Sequence, residues 1–124
     1  MGNYLKFIIH VSSVGFALGK TLPLQSRRPR IIFFRSTFCA RCIVSKEIIF
    51  NHLTNDEEED FVELDIGRDL EIFNIAGINF VPTTLVVDEK NVIVGGVEGI
   101  LTNKSIQPIL HLFRSLKKQH SFIE

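Results

Sequence analysis

Short apolar runs alternate with segments of helical periodicity along most of the chain. Arg30 to Phe34 is short, uninterrupted and rich in β-branched and aromatic residues, which predicts a strand buried on both faces. From Ala40 to about Leu53, apolar residues such as Ile43 and Val44 mix with charged ones at roughly helical spacing, which predicts a helix. Phe61 to Ile66 alternates well enough for a second strand. This order predicts a parallel pair of strands joined by a helix.

Capping and turn residues predict the next elements. Asp69 can cap a short helix over Leu70 to Ala76, and Gly77 suits the left-handed residue that ends it. Two β-rich runs, Thr84 to Asp88 and Val92 to Val94, are separated by hairpin spacing, which predicts an antiparallel pair at one edge. The sheet is therefore expected to be mixed, parallel in its first part and antiparallel in its second.

Two further segments complete the pattern. A final amphipathic helix is predicted over about Asn103 to Lys118, where Pro108 lies either in the first turn or at a kink. The acidic run from Asp56 to Asp60 is expected to be a solvated connection. The whole order predicts an α/β fold, with a central mixed sheet of four to five strands and helices on both faces.

Residues 1–22 allow two interpretations. In the first, Tyr4 to Val11 is a strand, and a short helix capped at Ser12 or Ser13 ends near Leu22. In the second, the first 19 residues are a signal peptide with a basic residue, an apolar run and a small-residue cleavage site. The apolar run is interrupted by polar residues and is too short to span a bilayer. We therefore favour the folded interpretation.

Length and charge exclude several classes of protein. The chain has 124 residues, 45% of them hydrophobic, which suits a single domain over residues 1–124 with a core of its own. Lys and Arg together number 14, as do Asp and Glu, so the formal net charge is zero. This balance gives no electrostatic reason to expect nucleic acid or an anionic membrane as a partner.

The only two cysteines form a Cys-x-x-Cys pair at the predicted junction of a strand and a helix. Cys39 would lie in the first helical turn, where free backbone N–H groups, the helix dipole and Arg41 lower the pKa of its thiol. Cys42 lies within one turn on the same side, so it can resolve a mixed disulfide formed on Cys39. A bond across so short a loop is a poor structural clamp. Its value must lie in being made and broken.

Two other uses of a cysteine pair stay open at this point. Zinc needs about four ligands. The four histidines show no ligand spacing with each other, and no second cysteine pair exists, so we expect no metal site. The two cysteines could also be an inert structural pair. No organic cofactor is expected either.

Gly-Ile-Asn-Phe-Val-Pro-Thr at residues 77–83 resembles the Gly-Ile-x-x-Ile/Val-Pro-Thr segment of the thioredoxin family. Its distance from the dithiol is close to the distance in that family. Glu-Gly-Ile-Leu-Thr at residues 98–102 is similar to the stretch before the last thioredoxin helix, and residues 7–11 are similar to the first strand. These matches cover nearly the whole chain, and the resemblance implies the thioredoxin fold.

The resemblance also implies a substrate site around the dithiol. Pro82 would follow a cis peptide bond and face the dithiol, and the backbone of Val81 would hydrogen-bond an extended substrate segment. The expected substrate-binding residues are Phe38, Phe80, Val81, Pro82 and Gly99, with Ile78 and Ile100 among the apolar residues around them.

Three features depart from the thioredoxin pattern. Phe38 replaces the tryptophan before the first cysteine, and Ala40-Arg41 replaces Gly-Pro between the cysteines. Phe33 stands where the family has a buried aspartate that accepts the proton of the resolving thiol. Glu63 on the neighbouring predicted strand is our candidate to replace that carboxylate and tune the pKa of the dithiol. The alternative is that Glu63 faces solvent.

The sequence thus predicts a thiol:disulfide oxidoreductase that acts on protein disulfides and is recharged by a reductase or an oxidase. Arg41 is expected to make the couple more oxidising. The missing aspartate and tryptophan favour an alternative, a catalytically weak module of the same fold that binds proteins or senses redox state. A glutathione-dependent iron–sulfur carrier is a third. We expect a monomer in the cytoplasm, or an exported protein if the N-terminus is a signal peptide.

Overall fold

Four strands form one mixed sheet in this computed structural model, which describes residues 16–123. The strands are β1 (Arg30–Arg35), β2 (Phe61–Asp65), β3 (Thr83–Val87) and β4 (Ile93–Glu98). Their order is β2-β1-β3-β4. β1 pairs parallel to β2 and antiparallel to β3, and β4 pairs antiparallel to β3. The predicted change from parallel to antiparallel pairing is confirmed.

Helices cover both faces of the sheet. They are α1 (Ala40–His52), α2 (Leu70–Ala76) and α3 (Ile106–Ile123). Successive side chains of a strand point to opposite faces, so Phe33 packs with α1 and α3 whereas Phe34 packs with α2. The rings of Phe34 and Phe73 meet edge to face, with centroids 4.9 Å apart. The predicted α/β fold class is therefore confirmed.

The hairpin formed by β3 and β4 is longer than predicted. β4 continues to Glu98 instead of ending at Val94. Gly96 lies so close to β3 that a Cβ atom there would come within 2.6 Å of the carbonyl oxygen of Thr84. Glycine therefore permits close strand contact here rather than interrupting the strand.

The acidic run is only in part the solvated connection that we predicted, because Asp56, Glu58 and Glu59 are exposed but Asp60 is buried. Glu57–Asp60 forms a short 3-10 helix, and Asp60 is 3% exposed. Nε of Arg28 lies 2.9 Å from one oxygen of its carboxylate, as an ion pair rather than an aligned hydrogen bond, and Nζ of Lys117 lies 2.7 Å from the other. Cations from both ends of the described chain thus compensate the burial of this charge.

The ends of two helices differ in detail from the prediction. Asp69 is the N-cap residue of α2, but its carboxylate makes no capping bond and accepts the N–H of Asp65 at 3.0 Å. α3 begins at Ile106 rather than near Asn103, which places Pro108 in the first turn, one of the two predicted alternatives. Reciprocal hydrogen bonds between Thr102 and Ser105 hold the preceding residues in a turn.

The first strand predicted over Tyr4 to Val11 and the serines proposed to cap a helix lie outside the described residues, as does most of the alternative signal peptide. Residues 16–22, which that helix was expected to cover, contain turns and an isolated bridge from Thr21 to Val92. The N–H of Leu22 donates to the carbonyl of Asn91, 2.8 Å away. Because this backbone bonds to the β3–β4 hairpin, it is not available for a helix.

Candidate active site

Cys39 and Cys42 form a disulfide at the start of α1. Cys39 is the N-cap residue, and its Sγ accepts the backbone N–H of Cys42 at 3.2 Å. The sulfur therefore lies at the positive end of the helix dipole and satisfies one of the N–H groups that a helix start leaves free. Cys39 is half-buried, whereas Cys42 is 2% exposed. Cys39 is therefore the more accessible sulfur of the pair.

Phe38 presents its ring to solvent immediately before Cys39. Its side chain is fully exposed, and its φ of 59° lies in the left-handed region. That conformation costs a non-glycine residue about 1–2 kcal/mol. An exposed aromatic ring on a strained backbone contributes no burial to this chain, so it points to a contact with another molecule.

The loop before β3 lies at the same end of the sheet as the dithiol. The Val81–Pro82 peptide bond is cis, as the resemblance implied. Thr83 follows it and pairs with Phe34 near the end of β1. Because β1 leads directly into Cys39, this register brings the proline loop to the dithiol end of the sheet.

Hydrogen bonds join the proline loop to the segment after β4. The hydroxyl of Thr83 donates to the carbonyl of Phe80 at 2.7 Å. The N–H of Gly99 donates to the carbonyl of Pro82 at 2.8 Å, with Gly99 at a φ of 96°, a conformation that glycine adopts without strain. Pro82 itself is buried. The expected substrate residues Phe80, Pro82 and Gly99 thus belong to one connected structure.

Large apolar side chains are exposed at this end of the sheet. Phe80 is 63% exposed, Ile100 47% and Ile43, in the first turn of α1, 62%. We call Phe38, Ile43, Phe80 and Ile100 the apolar rim. Ile78, expected beside them, packs instead against the core on the α2 side. Clustered exposed apolar residues are typical of a surface that binds another protein.

Glu63 lies beside α1 rather than in open solvent. In the parallel register of β1 and β2 it is paired with Phe33, so both side chains share the face that α1 covers. Its side chain is 28% exposed, and its carboxylate lies 2.7 Å from Nζ of Lys46 and 3.1 Å from Nε of Arg35. The carboxylate is thus one strand away from the position where the resemblance led us to expect an aspartate.

Glu63 and Cys42 line the same open cavity of about 380 Å³. Arg35 and Lys46 also line it, so the cavity brings together a carboxylate, two cations and the buried sulfur. A water molecule can bridge polar groups that face one such space. The structure thus brings Glu63 and Cys42 to one solvent-accessible cavity.

The side of α1 that faces the core carries Cys42 rather than the neighbouring aliphatic residues. Cys42, Ser45 and Ile49 are buried, whereas Ile43 and Val44 are 62% and 45% exposed. Burial of Cys42 fixes the rotation of the helix, and residues at steps of three and four from it share its side. Counting these steps from the cysteine, rather than from the aliphatic residues, would have identified the buried side.

Two cations lie close to the dithiol in sequence and differ in their contacts. Arg41 is exposed, and none of the ion pairs formed within residues 16–123 involves it. Lys46 binds Glu63, and sequence reasoning did not single it out. Its spacing of four residues from Cys42, which puts both on one side of the helix, is the signal that could have identified it.

The described part of the chain contains neither a metal-binding cluster nor a membrane-spanning helix. Within residues 16–123, no cluster of three His, Cys, Asp or Glu side chains could hold a metal ion. Over the same residues, none of the helices combines the length and apolar character needed to cross a bilayer.

Comparison with known proteins places the fold. The sequence matches no protein-family model and no curated protein. Among solved structures, an uncharacterised thioredoxin-like protein from Clostridium perfringens has a TM-score of 0.60 at 19% identity, over 74% of this chain and 73% of that one. A thioredoxin from Malassezia sympodialis gives 0.58 at 15% identity, over 74% and 77%. Chloroplastic thioredoxin z gives 0.55 at 17%, over 72% and 80%.

These likenesses agree with the features that the chain itself displays. These features are the mixed sheet flanked by helices, the Cys-x-x-Cys pair at the start of α1 and the cis proline at the same end of the sheet. The chain has the thioredoxin fold.

Proposed function

We propose that the protein is a thiol:disulfide oxidoreductase that exchanges its Cys39–Cys42 pair with disulfides of other proteins. The observation that carries this proposal is the asymmetry of the pair. Cys39 is partly exposed at the start of α1, beside the cis-Pro82 loop and the apolar rim, whereas Cys42 is buried within bonding distance behind it. An accessible sulfur for attack and a protected one for resolution are what two-step exchange requires.

The first step forms a mixed disulfide. The Cys39 thiolate attacks one sulfur of the substrate disulfide, so that a bond from Cys39 to the substrate forms while the substrate S–S bond breaks. The departing substrate sulfur takes up a proton as a thiol. The helix dipole at Cys39 and the nearby charge of Arg41 favour the thiolate that begins this step.

The second step releases the substrate. Cys42 loses its proton and attacks Sγ of Cys39, which forms the intramolecular disulfide and expels the second substrate sulfur as a thiol. The substrate has then gained two electrons and two protons, and the protein has been oxidised. A dithiol reductant or a reductase restores the Cys39–Cys42 dithiol by the reverse chemistry, and an oxidase would drive the opposite direction.

Glu63 is the group we assign to accept the proton of Cys42. Three observations support this assignment. Glu63 shares a cavity with Cys42, its side chain is 28% exposed, and it pairs with Phe33 on the face of the sheet that α1 covers. Lys46 at 2.7 Å and Arg35 at 3.1 Å hold the carboxylate in place.

Glu63→Gln removes the proton acceptor while preserving the shape of the side chain. We expect the rate at which the second thiol is released in a single turnover to fall about a hundredfold, the lower side of what a positioned base contributes, and its pH profile to change. Glu47→Gln is the matched control, because Glu47 lines the same cavity but takes no part in the ion pairs of Arg35 and Lys46 with Glu63. An unchanged release rate and pH profile in Glu63→Gln would remove Glu63 from the mechanism.

The apolar rim is the surface we assign to the substrate. The exposed Phe38 directly precedes Cys39, and the exposed Phe80 and half-buried Val81 directly precede the cis proline, where an extended segment can add backbone hydrogen bonds as a strand does. The substrate class is therefore a protein with an accessible disulfide in an extended segment that carries apolar side chains.

Reduction of insulin by dithiothreitol tests the proposal. The wild type should accelerate the reaction, and Cys39→Ser should abolish the acceleration. Cys42→Ser should accumulate a mixed disulfide with insulin on a non-reducing gel, because the resolving thiol is absent. If the wild type gives no acceleration and Cys42→Ser traps no substrate, the alternative of a binding or redox-sensing module with the same fold takes the place of the oxidoreductase.

A further inference from the structure

Ser45 is a fully buried polar residue on the side of α1 that carries the dithiol. It lies three residues after Cys42, so the two side chains occupy the same side of the helix one turn apart. Buried hydroxyl groups are hydrogen-bonded in native proteins, and the partner shows which parts of the structure the residue joins.

The partner of Ser45 is a backbone group far away in sequence. Its Oγ accepts the N–H of Leu101 at 2.9 Å, across 56 positions of the chain. Leu101 is 2% exposed, so its N–H has little access to water as a substitute. The hydrogen bond therefore joins the dithiol helix to the segment that follows β4.

That segment is held at its other end by the proline loop. The N–H of Gly99 donates to the carbonyl of Pro82 at 2.8 Å. Between the two attachments lies Ile100, a member of the apolar rim that is 47% exposed. The 99–101 loop is thus fixed on one side to the cis-proline loop and on the other to α1.

We propose that Ser45 is a positioning residue for protein substrates, because its hydrogen bond to Leu101 sets where the 99–101 loop presents Ile100 relative to the dithiol. The proposal rests on the proposed oxidoreductase function and adds a determinant of substrate binding to it. Ser45 takes no part in the bond exchange. Its effect should therefore be seen only with substrates large enough to contact the loop.

Ser45→Ala separates substrate binding from chemistry. For insulin we expect KM to rise about fivefold, the size associated with one lost hydrogen bond, with kcat unchanged. The reaction with a small disulfide such as cystamine, which is too small to contact Ile100 while it meets Cys39, should keep its rate, and the reduction potential should not move. Amide hydrogen exchange at Leu101 should accelerate.

Two further variants show whether Ser45 acts through the loop. Ile100→Ala should raise KM for insulin in the same way, and the double variant should be no worse than Ile100→Ala alone, because residues that act in one unit are not additive. Ser105→Ala is the matched control. The Ser105 hydroxyl also accepts a backbone N–H at 2.9 Å, that of Thr102, but outside the 99–101 loop. It should leave KM unchanged.

Three outcomes would overturn the role of Ser45. They are an unchanged KM in Ser45→Ala, an equal loss with insulin and cystamine, and additive effects of Ser45→Ala and Ile100→Ala. A wild-type protein that reacts with cystamine but does not reduce insulin would instead contradict the proposed protein substrate. Wild-type activity on insulin with an unaffected Ser45→Ala contradicts only the positioning role.

Discussion

The two ends of the sheet differ in character: one exposes apolar side chains, and the other pairs charged and polar groups. The end at which β1 finishes carries the dithiol, the cis proline and the apolar rim, with Phe38 in a left-handed conformation. At the end where β1 begins, charged and polar groups pair with one another, and Arg30, Asp60 and Asn91 among them are buried. We call Arg28, Arg30, Glu57, Asp60, Asn91, Arg114 and Lys117 the ionic end.

Hydrogen bonds at the ionic end tie distant segments together. Arg30 is 5% exposed and donates to the side chain of Asn91 and to the carbonyl of Ser26. Burial is the main cause that lowers the pKa of Arg30. Asn91 also donates to the carbonyl of Leu24 at 3.2 Å. These contacts hold the segment before β1 against the hairpin.

The difference suggests a division of roles within one small domain. At the ionic end, polar groups that form hydrogen bonds and ion pairs with each other stabilise the fold. The dithiol end instead exposes apolar side chains and the strained Phe38, which only a bound partner would cover. Substitutions at the two ends should therefore affect different measurements. The following variants test that separation.

Asp60→Ala should have the largest effect on stability. We expect the free energy of unfolding to fall by about 2 kcal/mol, because Arg28 and Lys117 lose their common anion. The loss is smaller than the roughly 3–5 kcal/mol of a fully buried pair, because the two cations are 42% and 40% exposed. Urea denaturation measures it, with the exposed Asp56→Ala as control. A parallel loss of disulfide exchange by the folded protein would contradict the separation.

Phe38 tests the strain at the dithiol end. Phe38→Gly and Phe38→Ala both remove the exposed ring, but only glycine adopts the φ of 59° without penalty. We expect Phe38→Gly to be more stable than Phe38→Ala by about 1 kcal/mol in thermal or urea unfolding. Both should weaken insulin reduction more than cystamine reduction. Equal stability of the two variants would show that the backbone is not strained there.

Arg41→Ala should change the thiol pKa and the reduction potential of the dithiol only modestly. Because Arg41 is exposed, its charge contributes less than about 1 kcal/mol, or up to about fivefold in an equilibrium. We expect the pKa of the Cys39 thiol to rise and the couple to become less oxidising. Thiolate absorbance and equilibration with glutathione measure the two effects, which should diminish at high salt. If neither quantity changes, the electrostatic role of Arg41 is wrong.

The smallest expected effect is the loss of stability at the ionic end when the pH is lowered. Hydrogen bonds from Arg114 are the main cause that lowers the pKa of Glu57, against the opposing effect of burial. The pair therefore stabilises the fold above the unfolded-state pKa of about 4.3, and this contribution is lost as pH falls through the lower folded-state pKa.

Arg114→Gln should then cost about 0.5 kcal/mol at neutral pH, and the difference from the wild type should disappear once Glu57 is protonated. Urea denaturation at neutral pH and near pH 2.5, well below the usual glutamate range, checks the expectation. If the stability difference between Arg114→Gln and the wild type is the same at both pH values, the Arg114–Glu57 pair is not its source.

The sequence predicted the limits of helices and strands more closely than it predicted contacts between distant residues. The limits of β1, α1 and α2 were predicted closely, because periodicity and the capping glycine at position 77 act over a few residues. The rotation of α1 does not follow from its aliphatic residues, because Cys42 is buried whereas the neighbouring Ile43 and Val44 are exposed. The burial of Asp60 was missed, because its cations come from distant parts of the chain.

For the candidate site, the Cys-x-x-Cys spacing located the dithiol at a helix start, and the resemblance to the thioredoxin family implied the cis proline and most of the apolar rim. The roles of these residues and of Glu63 stay predictions that the experiments above address.

Periodicity, turn residues and the spacing of two cysteines were enough to specify strands, helices and a disulfide at a helix start, because those properties depend on neighbours along the backbone. The contacts of Ser45 with Leu101, of Glu63 with Lys46 and of Asp60 with Lys117 join residues between 17 and 57 positions apart. Such contacts arise only after the sheet has assembled, because hydrogen bonds and ion pairs depend on distance in space and on how much water the surrounding packing excludes.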